Sequence, residues 1–120
     1  MTTTAVRPDP TWHYPRARSL GNYDGDTVTL EIDVGLSALR RVTVRLARVN
    51  TPELKDAGGA AARNRVMELL AGQVLEVTTI KDRTEKYGRY LAEIILGDGR
   101  NLSDVLVEEG HAWPYAGGRR

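Results

Sequence analysis

The chain has 120 residues, 17 basic and 16 acidic, a formal charge of +1 and no cysteine. That length is one domain; the missing cysteine excludes a disulfide framework and a thiolate metal site, and the balanced charge lacks the basic excess that often marks bulk nucleic-acid binding. No apolar run approaches the ~20 residues of a membrane-spanning helix and the N-terminus lacks the apolar stretch of a signal peptide, so the expectation is a soluble, cytoplasmic protein, a monomer with no membrane partner.

Residues 1–15 carry three of the five prolines and no periodicity, which predicts an extended arm. Arg16 to Asn22 is a short strand leading into Asp24-Gly25-Asp26, where Asp-Gly signals a tight turn because glycine takes positive φ at little cost. Thr27 to Val34 alternates as a strand, with Val28, Leu30 and Ile32 inward. After the loop Gly35-Leu36-Ser37, Leu39 to Val49 alternates again. Val42, Val44 and Leu46 take one face, which the same alternation would extend to Arg48; Arg41, Thr43, Arg45 and Ala47 take the other.

Pro52 ends that strand. Ala60 to Ala71 reads as a helix with Ala62, Val66, Leu69 and Leu70 on one face and Gly72 as its stop. Gln73 to Ile80 is a strand, Lys81 to Lys86 a charged turn, and Tyr87 to Leu96 another strand closed by Gly97-Asp98-Gly99. Asn101 or Ser103 caps a short helix over Leu102 to Glu109. His111 to Tyr115 closes the folded part, and 116–120 reads as a flexible tail. With no phenylalanine, the core falls to Val, Leu, Ile and Ala. The fold class is mainly β with helices, a small barrel with two short helices on one side.

Three stretches carry chemistry. Asp26 sits at the mouth of a strand, where a carboxylate suits a hard cation such as Ca²⁺. Fourteen of the 17 bases are arginine, the residue of bidentate phosphate contacts, although GC-rich coding produces the same bias. His13 and His111 lack metal-ligand spacing and receive no role.

Asp24-Gly25-Asp26-Thr27-Val28, then Arg45-Leu46-Ala47-Arg48-Val49-Asn50-Thr51-Pro52-Glu53, then Thr84-Glu85-Lys86-Tyr87-Gly88-Arg89, in this order, resemble the staphylococcal nuclease (thermonuclease-like) family. The run Asp104 to Gly110 extends the resemblance, which spans residues 16–115. It implies a five-stranded OB-type barrel, with the family's long C-terminal helix missing, and metal-dependent hydrolysis of phosphodiester bonds in DNA or RNA. The cofactor implied is Ca²⁺, with Mg²⁺ or another hard divalent cation as the substitute.

By the same resemblance Asp26, Asn50 and the Thr51 carbonyl hold the metal, and Asn50 stands where a second carboxylate is expected. Glu53 handles the attacking water, and Arg45 and Arg89 bind the phosphate. Lys86 and Tyr87 lie near the terminal phosphate; apart from the resemblance, Asp24, two residues from Asp26, is placed to offset from behind part of the charge missing at Asn50. Read from the residues, Trp113 and Tyr115 are aromatics that can stack on a base or pack against the barrel; Trp113 is expected in the core, and Tyr115 stays open between packing and base stacking. The alternative to a nuclease is a barrel that binds nucleic acid with weakened catalysis. Retention of Arg45, Glu53 and Arg89 favours the enzyme.

Overall fold

The computed structural model describes residues 11–81 and 89–115. Among the described residues, seven strands and two helices follow in the order β1 (Thr11–Asn22), β2 (Thr27–Gly35), β3 (Ala38–Leu46), β4 (Val49–Asn50), α1 (Gly59–Leu70), β5 (Leu75–Lys81), β6 (Tyr90–Ile95), α2 (Leu102–Glu108) and β7 (Trp113–Pro114). Five of the strands close a barrel in the order β1-β2-β3-β6-β5, with β1 returning to pair with β5. Every barrel pairing is antiparallel except β3 with β6. This is the expected OB-type α+β barrel. Outside it, β4 and β7 form a separate two-stranded ribbon.

Period-two patterning makes the core. Val28, Leu30 and Ile32 of β2, Val44 and Leu46 of β3, Leu75 and Val77 of β5, and Ala92 and Ile94 of β6 all face inward. Val66, Leu69 and Leu70 of α1 and Leu102, Val105 and Leu106 of α2 join the same cluster. Burying one such leucine fully is worth about 1.5–3 kcal/mol. Asn101 caps α2, its side-chain oxygen accepting from the Ser103 and Asp104 amides at 2.9 and 3.3 Å.

Three expectations change. Residues 11–15, read as arm, belong to β1 and pair with β5 from Thr11↔Ile80 to Tyr14↔Val77. Pro15 is tolerated because the β1–β5 register shifts between Tyr14 and Ala17, where no ladder donor is needed. The strand expected to run to Val49 stops at Leu46. Arg48 then takes φ 72°, and the chain restarts as β4. That break turns Ala47 into the core, although simple alternation sets it outside. The expected charged turn and the start of the strand at Tyr87 lie at 82–88, outside the described residues.

The break is held by side chains. The Arg48 guanidinium donates to Glu93 on β6 at 2.6 and 2.9 Å, to Asp104 at 3.1 Å and to Asn101 at 3.3 Å. Burial alone pushes the Glu93 carboxyl up, but the bonds from Arg48 and Asn101 outweigh it and hold the group below its ordinary value of 4.5.

Leu106→Ala should cost about 2–5 kcal/mol of stability, read as a lower midpoint in urea unfolding. Because the fold favours ionised Glu93, its contribution is full above its ordinary value and is lost as pH falls through the lowered one. Wild type should therefore be more stable than Glu93→Gln at pH 7, and the gap should close steadily below about pH 4.5 in thermal melts.

Candidate active site

The register of the β2–β3 hairpin assembles the site. Thr27 lies directly across from Arg45, and the Leu46 amide donates to the Asp26 carbonyl at 2.9 Å. Asp26 at the start of β2 is thereby fixed beside the end of β3. The Ala47–Arg48 turn then brings Asn50 and Thr51 back over the same point. Asp26, Asn50 and Thr51 are 8%, 3% and 7% exposed, which makes a buried polar cluster at the rim of an apolar barrel.

The hydrogen bonds are specific. One Asp26 carboxylate oxygen, Oδ2, accepts from the Thr51 amide at 3.1 Å and lies 3.7 Å from Arg45 Nη2. The other, Oδ1, accepts from the Thr27 hydroxyl at 3.4 Å. Arg45 Nη2 donates to Asn50 Oδ1. Tyr115 lies with its ring centroid 5.1 Å from Arg45 Cζ, in cation–π range. Arg89 reaches the group from the start of β6, its Nη1 3.4 Å from Thr27 Oγ1. Asp24 accepts from the Asp26 amide at 3.1 Å and so shapes the turn.

Gly25 is needed for space rather than for positive φ. A Cβ there would fall 2.7 Å from Thr51 Oγ1, so the glycine lets the Asp24–Asp26 turn and the Thr51 loop touch. Gly59 works the same way, since a Cβ would fall 2.0 Å from the Glu53 carbonyl oxygen. It pins the Glu53 loop against the start of α1.

The structure thus brings together Asp26, Arg45, Asn50, Thr51, Arg89 and Tyr115, with Asp24 behind them. Glu53 faces solvent: its side chain is 63% exposed, and its carboxylate lies 3.8 Å from Lys55 Nζ. Lys86 and Tyr87 lie outside the described residues. Trp113 corrects an expectation, being 48% exposed rather than in the core. It pairs across the ribbon with Asn50, and so leaves the ribbon on the Asn50 side. Sequence reasoning missed two residues here. Thr27 touches both Asp26 and Arg89, and its outward place beside Asp26 was the available signal. Arg48 gave none, because nothing in the alternation of β3 marks a left-handed turn.

Charge at the site is out of balance. Burial, and then the neighbouring Asp24 charge, push the Asp26 carboxyl above its ordinary 3.8; the Thr51 amide and Arg45 pull the other way and do not win. Among the described residues, the groups facing the buried carboxylate offset its desolvation only in part. Its surroundings offer oxygen donors, and among the described residues no cluster of three or more His, Cys, Asp or Glu is formed. This donor set fits a hard divalent cation, which would supply the missing charge.

The family model described as "Staphylococcal nuclease homologue" matches residues 43–119. The chain belongs to that family. An "Uncharacterized endonuclease" of Escherichia coli O157:H7 is 30% identical over 92 residues, covering 77% of this chain and 56% of that protein. A "Micrococcal nuclease" of Shigella flexneri is 31% identical over 114 residues, covering 88% of this chain and 62% of that one. The "Staphylococcal-like nuclease CAN1" of Arabidopsis thaliana is 26% identical over 76 residues, 63% of this chain and 23% of that protein. The chain thus spans little more than half the length of the two bacterial relatives. The family match starts at Thr43, so Asp26 joins the site through the hairpin register and not through the matched segment.

A raised carboxyl value means that the fold favours the neutral form, so ionised Asp26 costs stability at neutral pH. Asp26→Asn should raise the melting temperature of the metal-free protein by a few degrees. Differential scanning calorimetry in EDTA checks this, and an unchanged or lower melting temperature would mean that Arg45 already balances the charge.

Proposed function

We propose that the protein is a metal-dependent nuclease that hydrolyses phosphodiester bonds in DNA or RNA, with Ca²⁺ as the preferred ion. The observation that carries this reading is the convergence of a buried carboxylate, Asp26, with Arg45 at 3.7 Å and with Arg89 held on Thr27. Membership of the nuclease family supports it.

A phosphodiester anion repels nucleophiles, and its reaction adds charge to the equatorial oxygens. Asp26, Asn50 and the Thr51 carbonyl are the residues that would hold the cation. When bound, the ion would neutralise a non-bridging oxygen and stabilise the developing charge. Before the ion and substrate arrive, Arg45 is held by Asn50 Oδ1 and the Tyr115 ring; with Asn50 Oδ1 given over to the ion in place of that bond, the Tyr115 ring and Asp26 would steer the planar fork. Arg89, anchored on Thr27, offers a second fork from β6. Glu53 faces solvent on the loop after Pro52, where its carboxylate can take a proton from an approaching water. Lys86 and Tyr87 would meet a terminal phosphate, and Tyr115 a base.

Asn50 makes this site less acidic than one with two carboxylates. An amide oxygen still binds Ca²⁺, but with one negative charge fewer, so the ion should bind more weakly.

The test is digestion of single- and double-stranded DNA and RNA with Ca²⁺ or with EDTA. Cleavage in Ca²⁺ and none in EDTA is expected. Arg45→Lys keeps the charge and loses the fork, and should lower the rate by ~10²-fold with the fold intact. Full activity in EDTA would overturn the metal role. Tight nucleic-acid binding without cleavage would leave a binding barrel in place of an enzyme.

A further inference from the structure

Arg48 lies outside the group just described, on the far side of the turn that carries it. Its backbone is in the left-handed region, φ 72°, where glycine is the unstrained choice. A bulky residue persists in such a place when its surroundings over-determine it. Here they do. The guanidinium bridges Glu93 of β6 and Asp104 and Asn101 at the head of α2. Its neighbour Ala47 is clamped too, its amide donating to the Ala92 carbonyl at 2.9 Å and its carbonyl accepting from the buried Ser103 hydroxyl at 3.0 Å.

The same turn holds the site from behind. The Arg48 carbonyl accepts from the Tyr115 amide at 2.8 Å, which seats the ring against Arg45. Two residues on is Asn50, which holds Arg45 directly and pairs with Trp113. Val49 and Pro114 line a cleft of about 350 Å³ on the other side of this ribbon, together with Arg48, Asp104, Val107 and Glu108. Asn50 and Tyr115 both reach Arg45, and Trp113 pairs with Asn50 across the ribbon. β4 and β7 are only two residues long each, so the ribbon has little main-chain bonding of its own.

We infer that Arg48 is a positioning residue: through the turn and the Tyr115 amide it holds Asn50 and Tyr115 in place, and they in turn fix the Arg45 fork. This rests on the nuclease reading for its effect on rate, but not for its effect on the ribbon. A surface ion pair used for stability alone gains little, and it would not explain why an arginine sits where a glycine is free of strain.

The experiment compares wild type, Arg48→Gly, Arg48→Lys, Glu93→Gln and the double variant Arg48→Gly/Glu93→Gln, all as the full chain. Arg48→Gly releases backbone strain while it removes the bridge, so its melting temperature should stay within a few degrees of wild type. Its kcat should fall about tenfold. Arg48→Lys should not restore the rate, because one ammonium cannot span three partners. Glu93→Gln should also lower kcat, and the double variant should be no worse than Arg48→Gly, because both changes open one latch.

A second readout needs no substrate. With Trp12→Phe in every variant, Trp113 is the sole tryptophan, and its quenching by acrylamide should rise when the latch opens. Wild-type kcat and quenching in Arg48→Gly, or additive losses in the double variant, would overturn the inference. If wild type itself cleaves nothing, the nuclease reading falls while the quenching comparison still decides the latch. Should Arg48→Gly unfold, Arg48→Lys and Glu93→Gln carry the same test.

Discussion

The Thr27↔Arg45 pairing in the β2–β3 hairpin is the constraint on which the rest depends. Side chains alternate across a strand, so a slip of one residue would send Arg45 into the core and Val44 out to the site. The slip is forbidden by burial: Val28, Leu30, Ile32, Val44 and Leu46 all face inward only in the observed register. The apolar core therefore sets the polar site. Asp26 ends up beside Arg45 because Val28 and Val44 must share the barrel interior.

A second consequence is electrostatic. The register places a carboxylate at the rim of an apolar barrel, where desolvation disfavours its charge. Two side-chain groups answer it in part, the Thr27 hydroxyl and the Arg45 guanidinium, and the Thr51 amide adds a third bond. Arg45 divides itself between Asp26 and Asn50, so neither anion nor amide holds it completely. An arginine so placed keeps donors for a phosphate, and a carboxylate so placed keeps affinity for a cation. A well-balanced ion pair would have been more stable and less useful.

Much of this was legible in the sequence. The barrel strands followed from period-two patterning, α1 from its 3.6-residue stripe, and the head of α2 from Asn101. The grouping of Asp26, Arg45, Asn50 and Arg89 came from the resemblance to the nuclease family, and the structure brings those residues together. What stayed hidden depends on contacts between distant segments. Gly25 looked like a turn glycine, but its reason is Thr51, 26 positions away and touching only after folding. Residues 11–15 looked like arm because prolines suppress a strand reading, yet the register shift beside Pro15 admits it. Ala47 and Arg48 break the alternation of β3 because partners on β6 and α2 hold a left-handed turn, and none of those partners is local. Trp113 was expected to pack against the barrel where the family's C-terminal helix would lie, yet at the end of the short ribbon it is 48% exposed.

The most direct test of the account is calorimetric titration of Ca²⁺ into the metal-free protein and into its Asp26→Asn variant, at neutral pH and low salt. If the buried, under-compensated carboxylate is the centre of the site, wild type binds one equivalent of Ca²⁺ and the variant shows at least a tenfold loss of affinity, about 1.4 kcal/mol or more. Equal Ca²⁺ binding by both proteins would contradict it, since the ion would then be held elsewhere and the charge deficit at Asp26 would have no part in recruiting it.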